Sequence, residues 1–213
     1  ATLKMGSTTV LTDTTLANGV QDNITRLGTV TTGTVSNTVT GDGLAFKKIG
    51  SATFSTTSTI DLGQDLGSYR IHKLYVAVKP NSTGGAGNIE MRVKIGDAWL
   101  SSADYSYNYI GMRSNSINPV VGWANDANTF FKLTPDSSRA DSRTYMEITF
   151  HDATKTEETG IQCNVMGYNH DGAKRLLSTT NYCKVKNTGV VQDIRIYPTN
   201  YPLTGQWELY GIV

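Results

Sequence analysis

From Gly50 onward the apolar residues of this chain recur at every second position, and that period limits the fold more than any other feature. Ile89, Met91, Val93 and Ile95 alternate with Glu90, Arg92 and Lys94. Side chains two apart on a strand point the same way, so the segment has one dry face and one wet face. Leu74, Val76 and Val78 repeat the pattern, as do Met146, Ile148 and Phe150, then Ile161, Cys163 and Val165, then Ile194 and Ile196, and finally Trp207 and Leu209. Clusters rich in Gly, Asn, Asp and Pro separate the runs, among them Gly63 to Gly67, Asn81 to Gly87, Asn115 to Pro119 and Asn169 to Gly172. A sheet with one dry face needs a second layer to cover it. Many short strands with no full-length helical period therefore predict an all-β, antiparallel β-sandwich of jelly-roll-like type.

The first 48 residues follow different rules. Thirteen threonines fall in residues 1–50 and the first aromatic is Phe46, a composition too polar to fill a core of its own. Gly28-Thr29-Val30-Thr31, Gly33-Thr34-Val35-Ser36 and Asn37-Thr38-Val39-Thr40 form an imperfect repeat that favours extended backbone punctuated by glycine. Leu16, Val20, Ile24 and Leu27 have helical spacing, but Gly19 and the surrounding threonines oppose a helix. The expected organisation is an extended, threonine-rich arm over residues 1–48, used for attachment or trimerisation, and a sandwich over residues 49–213. The apolar side chains of the arm, Leu3, Val10, Leu11, Leu16, Val20, Ile24, Leu27, Val30, Val35 and Val39, are its candidate partner contacts.

The 213 residues (23.1 kDa) suffice for one sandwich plus a modest extra segment. Nineteen Lys+Arg against 18 Asp+Glu leave a formal charge of +1. No run of like charge suggests a nucleic-acid groove, and no apolar run approaches the roughly 18 residues of a spanning helix. No basic-then-apolar leader is seen, and Ala1-Thr2 reads as a start from which an initiator methionine has been trimmed. The expectation is a soluble, complete gene product that binds neither nucleic acid nor membrane.

Recognisable reaction chemistry is sparse. Cys163 and Cys183 match no zinc spacing and read as small core residues, with a disulfide between neighbouring strands as the weaker alternative. Among the histidines, His72 is in phase with Leu74 and Val76 and should pack at a strand end, whereas His151 should be solvated. Nucleophile-elbow, phosphate-loop and zinc-protease motifs are absent from the sequence. Asn169-His170-Asp171-Gly172 reads as a turn rather than a calcium loop. Glu157-Glu158 with Asp136 or Asp141 would need a separation of about 5–10 Å to act on a glycoside, which sequence spacing does not supply. No catalytic residue, metal site or cofactor is assigned, and the chain is read as non-enzymatic. Tyr105, Tyr107 and Tyr109 form an aromatic stripe, with Trp123 further on. Such residues pack inside a domain or between subunits, and exposed ones stack on sugar rings, so these four are also the candidate glycan-binding residues.

The closing phrase Gly205-Gln206-Trp207-Glu208-Leu209-Tyr210-Gly211-Ile212 resembles the last strand of the C-terminal β-sandwich carried by many bacteriophage structural proteins, among them head-decoration, head-fibre and tail-fibre proteins. The resemblance spans about residues 49–213 through phrases in a fixed order. These are an opening strand around Ala52 to Phe54, Ser68-Tyr69-Arg70-Ile71-His72-Lys73-Leu74-Tyr75-Val76, the Ile89 to Ile95 strand, Ala103-Asp104-Tyr105-Ser106-Tyr107, and Ile194-Arg195-Ile196. Pro198-Thr199-Asn200-Tyr201-Pro202 departs from the serine- and glycine-rich turn common before the final strand. The resemblance implies a non-enzymatic virion protein assembled in the host cytoplasm and displayed on the virion surface. A capsid decoration or cement protein, homotrimeric and anchored to other virion proteins by its arm, is the first expectation. The alternative is a receptor-binding tail or head fibre whose sandwich binds host-surface glycan.

Overall fold

The computed structural model describes residues 2–5, 8–12, 15–16, 46–64, 66, 69–81, 87–113, 120–134, 143–169 and 175–212. The chain divides into two compact units, Ala1–Asp42 and Gly43–Val213. In the first, β1 (Thr2–Met5), β2 (Thr8–Thr12) and β3 (Thr15–Leu16) form a three-stranded antiparallel sheet. The extended backbone expected of the threonine-rich segment is present in these strands. Part of its hydrogen bonding is met locally rather than by a partner, because β-branched residues suit a ladder. Leu3 pairs with Leu11 and Leu11 with Leu16 in register, so three of the proposed contact residues share one row, and Val10 lies beside them in β2. Val20, Ile24, Leu27, Val30, Val35 and Val39 lie outside the described residues.

The second unit is the all-β sandwich that the alternation demands. Its larger sheet has eight strands in the order β10-β9-β14-β13-β12-β6-β16-β4. They are β4 (Phe46–Thr57), β6 (Ile71–Pro80), β9 (Tyr105–Arg113), β10 (Val120–Asn128), β12 (Thr144–His151), β13 (Thr159–Asn169), β14 (Arg175–Val185) and β16 (Leu203–Ile212). The smaller sheet runs β11-β7-β15-β5, with β8 paired to β7. Its strands are β5 (Ile60–Asp61), β7 (Ile89–Ile95), β8 (Ala98–Trp99), β11 (Phe131–Lys132) and β15 (Val191–Pro198). β4 starts at Phe46, so the sandwich takes in the last residues of the segment read as an arm.

The dry faces meet in one core. Leu74, Val76, Ile148, Phe150, Cys163 and Leu209 of the larger sheet join Met91, Val93, Ile194 and Ile196 of the smaller sheet in a single buried cluster. Each fully buried aliphatic or aromatic side chain contributes roughly 1.5–3 kcal/mol relative to exposure. Cys163 and Cys183 are buried free thiols on adjacent strands, and burial raises both thiol pKa values well above the usual range.

Two buried polar groups tie the sheets together. The Val93 N–H, on the edge of β7 between its pairings with β11 and β8, donates to the Tyr105 hydroxyl at 2.9 Å. Asn181 of β14 donates through Nδ2 to the Leu133 carbonyl beyond β11. His72, fully buried at the end of the inner face, lies edge-on to Tyr69 with ring centroids 6.0 Å apart. Among the described residues no partner of full hydrogen-bond geometry meets either ring nitrogen. Burial lowers its pKa to about 4, offset only in part by the Leu66 backbone.

Two expectations follow for stability. The unfolded chain protonates His72 near pH 6.5, but the folded chain does so only near pH 4. Stability should therefore fall as pH drops from about 6.5 to about 4, by roughly 3 kcal/mol in all. Urea titrations across that range should show this slope, and His72→Phe should remove it. At Gly205 an added methyl would overlap the Ala77 carbonyl oxygen and the Val78 Cα of the neighbouring strand. Gly205→Ala should lower the unfolding free energy by about 1–3 kcal/mol, the usual cost of overpacking.

Candidate functional site: a hollow on the outer face of the larger sheet

The two outer faces of the sandwich differ in chemistry. On the smaller sheet, Arg195 makes a bidentate ion pair with Asp61, both contacts at 2.6 Å, and stacks over the Trp99 ring at 4.2 Å. Arg92 lies over the Tyr197 ring at 5.4 Å. Its aromatic rings are therefore covered by cations that reach solvent.

On the larger sheet the aromatic and sulfur-bearing side chains stand open. Met112, Met166, Ile110 and Tyr145 are 59%, 56%, 54% and 53% exposed, with Tyr182 and Tyr75 also exposed. Register explains their grouping. One row across the sheet reads Gln206, Ala77, Tyr145, Met166, Ser178, Met112, and the next reads Glu208, Tyr75, Glu147, Asn164, Thr180, Ile110. Ala77 and Ser178 are the short members of the first row. Between taller neighbours they leave a hollow of about 550 Å³, lined by side chains of both rows. That volume falls in the range of about 300–1,000 Å³ typical of small-ligand sites.

The polar lining of the hollow is fixed in place. Glu147 receives a 2.6 Å contact from Lys73, and Glu208 receives one of 2.9 Å from Lys48 and a hydrogen bond of 2.9 Å from the Tyr210 hydroxyl. The Lys48 ammonium, followed by Tyr210, holds the Glu208 carboxyl below its ordinary pKa. The hydrogen bond to Glu147 raises the Lys73 pKa. Thr180 donates to the Asn164 side-chain oxygen at 3.1 Å, and Tyr75 meets Tyr210 edge-on at 5.9 Å. The hollow therefore combines aromatic rings, amide and hydroxyl groups, and two carboxylates each neutralised by its own lysine.

The sequence-based glycan candidates lie elsewhere. Tyr105 is fully buried and accepts the Val93 hydrogen bond, so its ring is closed to any ligand. Its reading as a sugar-stacking residue is corrected to core packing between the sheets. Tyr107 is half-buried against Phe131, centroids 5.8 Å apart, and burial pushes its pKa up to about 12. Tyr109, also half-buried, sits opposite Asn181 in register and shares the inward phase of the stripe. Trp123 pairs with Asn108, out of phase with the tyrosines, so the four do not form one row. Residues that the sequence reading passed over form the hollow instead. Tyr75 and Tyr145 do occupy wet positions between core residues of their strands, and an aromatic at a wet position was the available signal.

Among the described residues no group of three His, Cys, Asp or Glu side chains is placed to hold a metal ion, and no helix is long and apolar enough to cross a membrane. His170, Asp136 and Asp141 lie outside the described residues. No protein-family model, curated protein or solved structure matches the chain.

The contrast between inner and outer tyrosines is measurable by chemical denaturation. Tyr105→Phe strands a buried N–H and should cost about 1–3 kcal/mol. Tyr145→Ala, on the open face, should change stability by no more than about 0.5 kcal/mol.

Proposed function

We propose that this chain is a non-enzymatic structural protein of a bacteriophage particle, a decoration or cement protein attached to the head through residues 1–48. The observation that carries this reading is the division of labour along the chain. A threonine-rich N-terminal unit, with its own small sheet, precedes a sandwich that closes its core within itself and turns an open face of tyrosine, methionine and isoleucine outward. A self-contained domain with an apolar outer face suits contact with other surfaces. The ordered series of phrases between Ala52 and Ile212 supports the placement in a virion.

In this proposal the sandwich is a homotrimer, and Ile110 and Met112 on β9 belong to the contact between copies. Closed symmetry repeats one such patch on every subunit and removes it from water. A second reading, a receptor-binding head or tail fibre, is favoured by the hollow on the larger sheet.

Electron microscopy of intact particles should place residues 1–48 against the shell subunits. Val30→Asp with Val35→Asp should reduce occupancy on the particle and leave the sandwich folded. Density for that segment as a free shaft would instead support the fibre. Light scattering on the purified chain should give a trimer, and Ile110→Asp with Met112→Lys should convert it to monomer. A monomeric wild type would remove the trimer.

A further inference from the structure

We infer that the hollow between Tyr75 and Tyr145 is a binding site for an uncharged saccharide. The inference goes beyond the decoration role and deepens the second, receptor-binding reading, on which it rests only for the choice of ligand class.

Shape argues for a small ligand rather than a flat partner surface. The open face is not level here, because Ala77 and Ser178 interrupt a row of larger residues and leave a solvent-open hollow of about 550 Å³. A second copy of the chain would need a protruding side chain to fill it. A sugar ring has the required thickness and amphipathic character. Its C–H face lies against an aromatic ring, and its hydroxyls point sideways to hydrogen-bonding groups.

Chemistry narrows the ligand class. Tyr75 and Tyr145 are exposed aromatic side chains on adjacent strands, one row apart, and both line the hollow. Around them Asn164 and Gln206 present amides, and Glu147 and Glu208 present carboxylate oxygens. The amides both donate and accept, and the carboxylates only accept, which is the mixture that vicinal hydroxyls satisfy. Charge then decides between neutral and ionic sugars. Both carboxylates are held in ion pairs with Lys73 and Lys48, which stand outside the lining, so the lining presents strong acceptors whose charge is already offset. An anionic sugar would face two carboxylates, and a cationic one would have to displace a lysine. A neutral hexose or N-acetylhexosamine meets neither cost. The lysine pairs also hold the carboxylates in position before the ligand arrives, which reduces the entropy lost on binding.

The test uses the purified full chain on an array of neutral oligosaccharides built from hexoses and N-acetylhexosamines, with sialylated and sulfated glycans as separate arms. Retention on neutral glycans is expected. Calorimetry with the best-retained oligosaccharide should show Tyr145→Ala and Gln206→Ala each weakening affinity about tenfold, the scale of one stacking or polar contact. Tyr145→Phe, which keeps the ring, should retain most of the affinity. All three should keep the wild-type unfolding midpoint and oligomeric state. The proposal is overturned by failure of every neutral glycan to bind, or by preference for the sialylated or sulfated arms. It is also overturned if Tyr145→Ala changes the oligomeric state and leaves glycan binding intact, the outcome expected if a second copy covers the hollow. Failure of the saccharide site would leave the decoration reading standing, because microscopy of residues 1–48 tests that reading separately.

Discussion

The structure depends on the mutual burial of two sheet faces. Each strand of the sandwich carries apolar side chains on one side only, so neither sheet is stable without the other. Leu74, Ile148 and Leu209 on one side and Met91, Val93 and Ile194 on the other are all inaccessible to solvent. With the dry faces sealed, hydrogen bonding within the core becomes obligatory. That is why Tyr105 and Asn181 reach across to β7 and to the Leu133 carbonyl rather than to water. It also explains why His72 is held neutral well below its ordinary pKa.

The same alternation that builds the core also sets the composition of the outer faces, because every residue between two core positions must face away. The smaller sheet uses these positions for charged groups that stack on its aromatics. The larger sheet uses them for tyrosine, methionine and isoleucine, interleaved with amides and paired carboxylates. The proposed saccharide hollow needs no dedicated loop. It arises where two short side chains fall in a row of long ones, on a rigid sheet whose β6 and β12 are anchored underneath by Leu74, Val76, Met146 and Ile148. A ligand site placed there rests on strands whose undersides are buried in the core, and specificity would come from fixed geometry rather than from closure around the ligand.

Much of the fold was legible in the chain because period two is a local property. The runs at Leu74, Ile89, Met146, Ile161, Ile194 and Trp207 all lie in strands with the expected face buried, except that in the Ile89 run Glu90, read as wet, is buried and Ile95, read as dry, is half-buried. The site was far less legible. Tyr105 and Tyr107 look like a ligand-stacking stripe in sequence, yet both pack toward the second sheet, because phase within a strand says which residues share a face and not whether that face is covered. Tyr75 and Tyr145, 70 positions apart, look unremarkable singly, and only the antiparallel pairing of β6 with β12 brings them together.

Sequence alone determined that this chain is all-β, that its dry positions require two layers, and that its first 48 residues obey another composition. Those conclusions rest on interactions between near neighbours and on the insolubility of apolar surface. Tertiary structure decided the strand order, the free state of Cys163 and Cys183, the inward fate of Tyr105, and the hollow between Tyr75 and Tyr145. Each of these depends on which distant strands become neighbours. That choice is made by how the whole set of dry faces packs at once, and no single strand's pattern contains it.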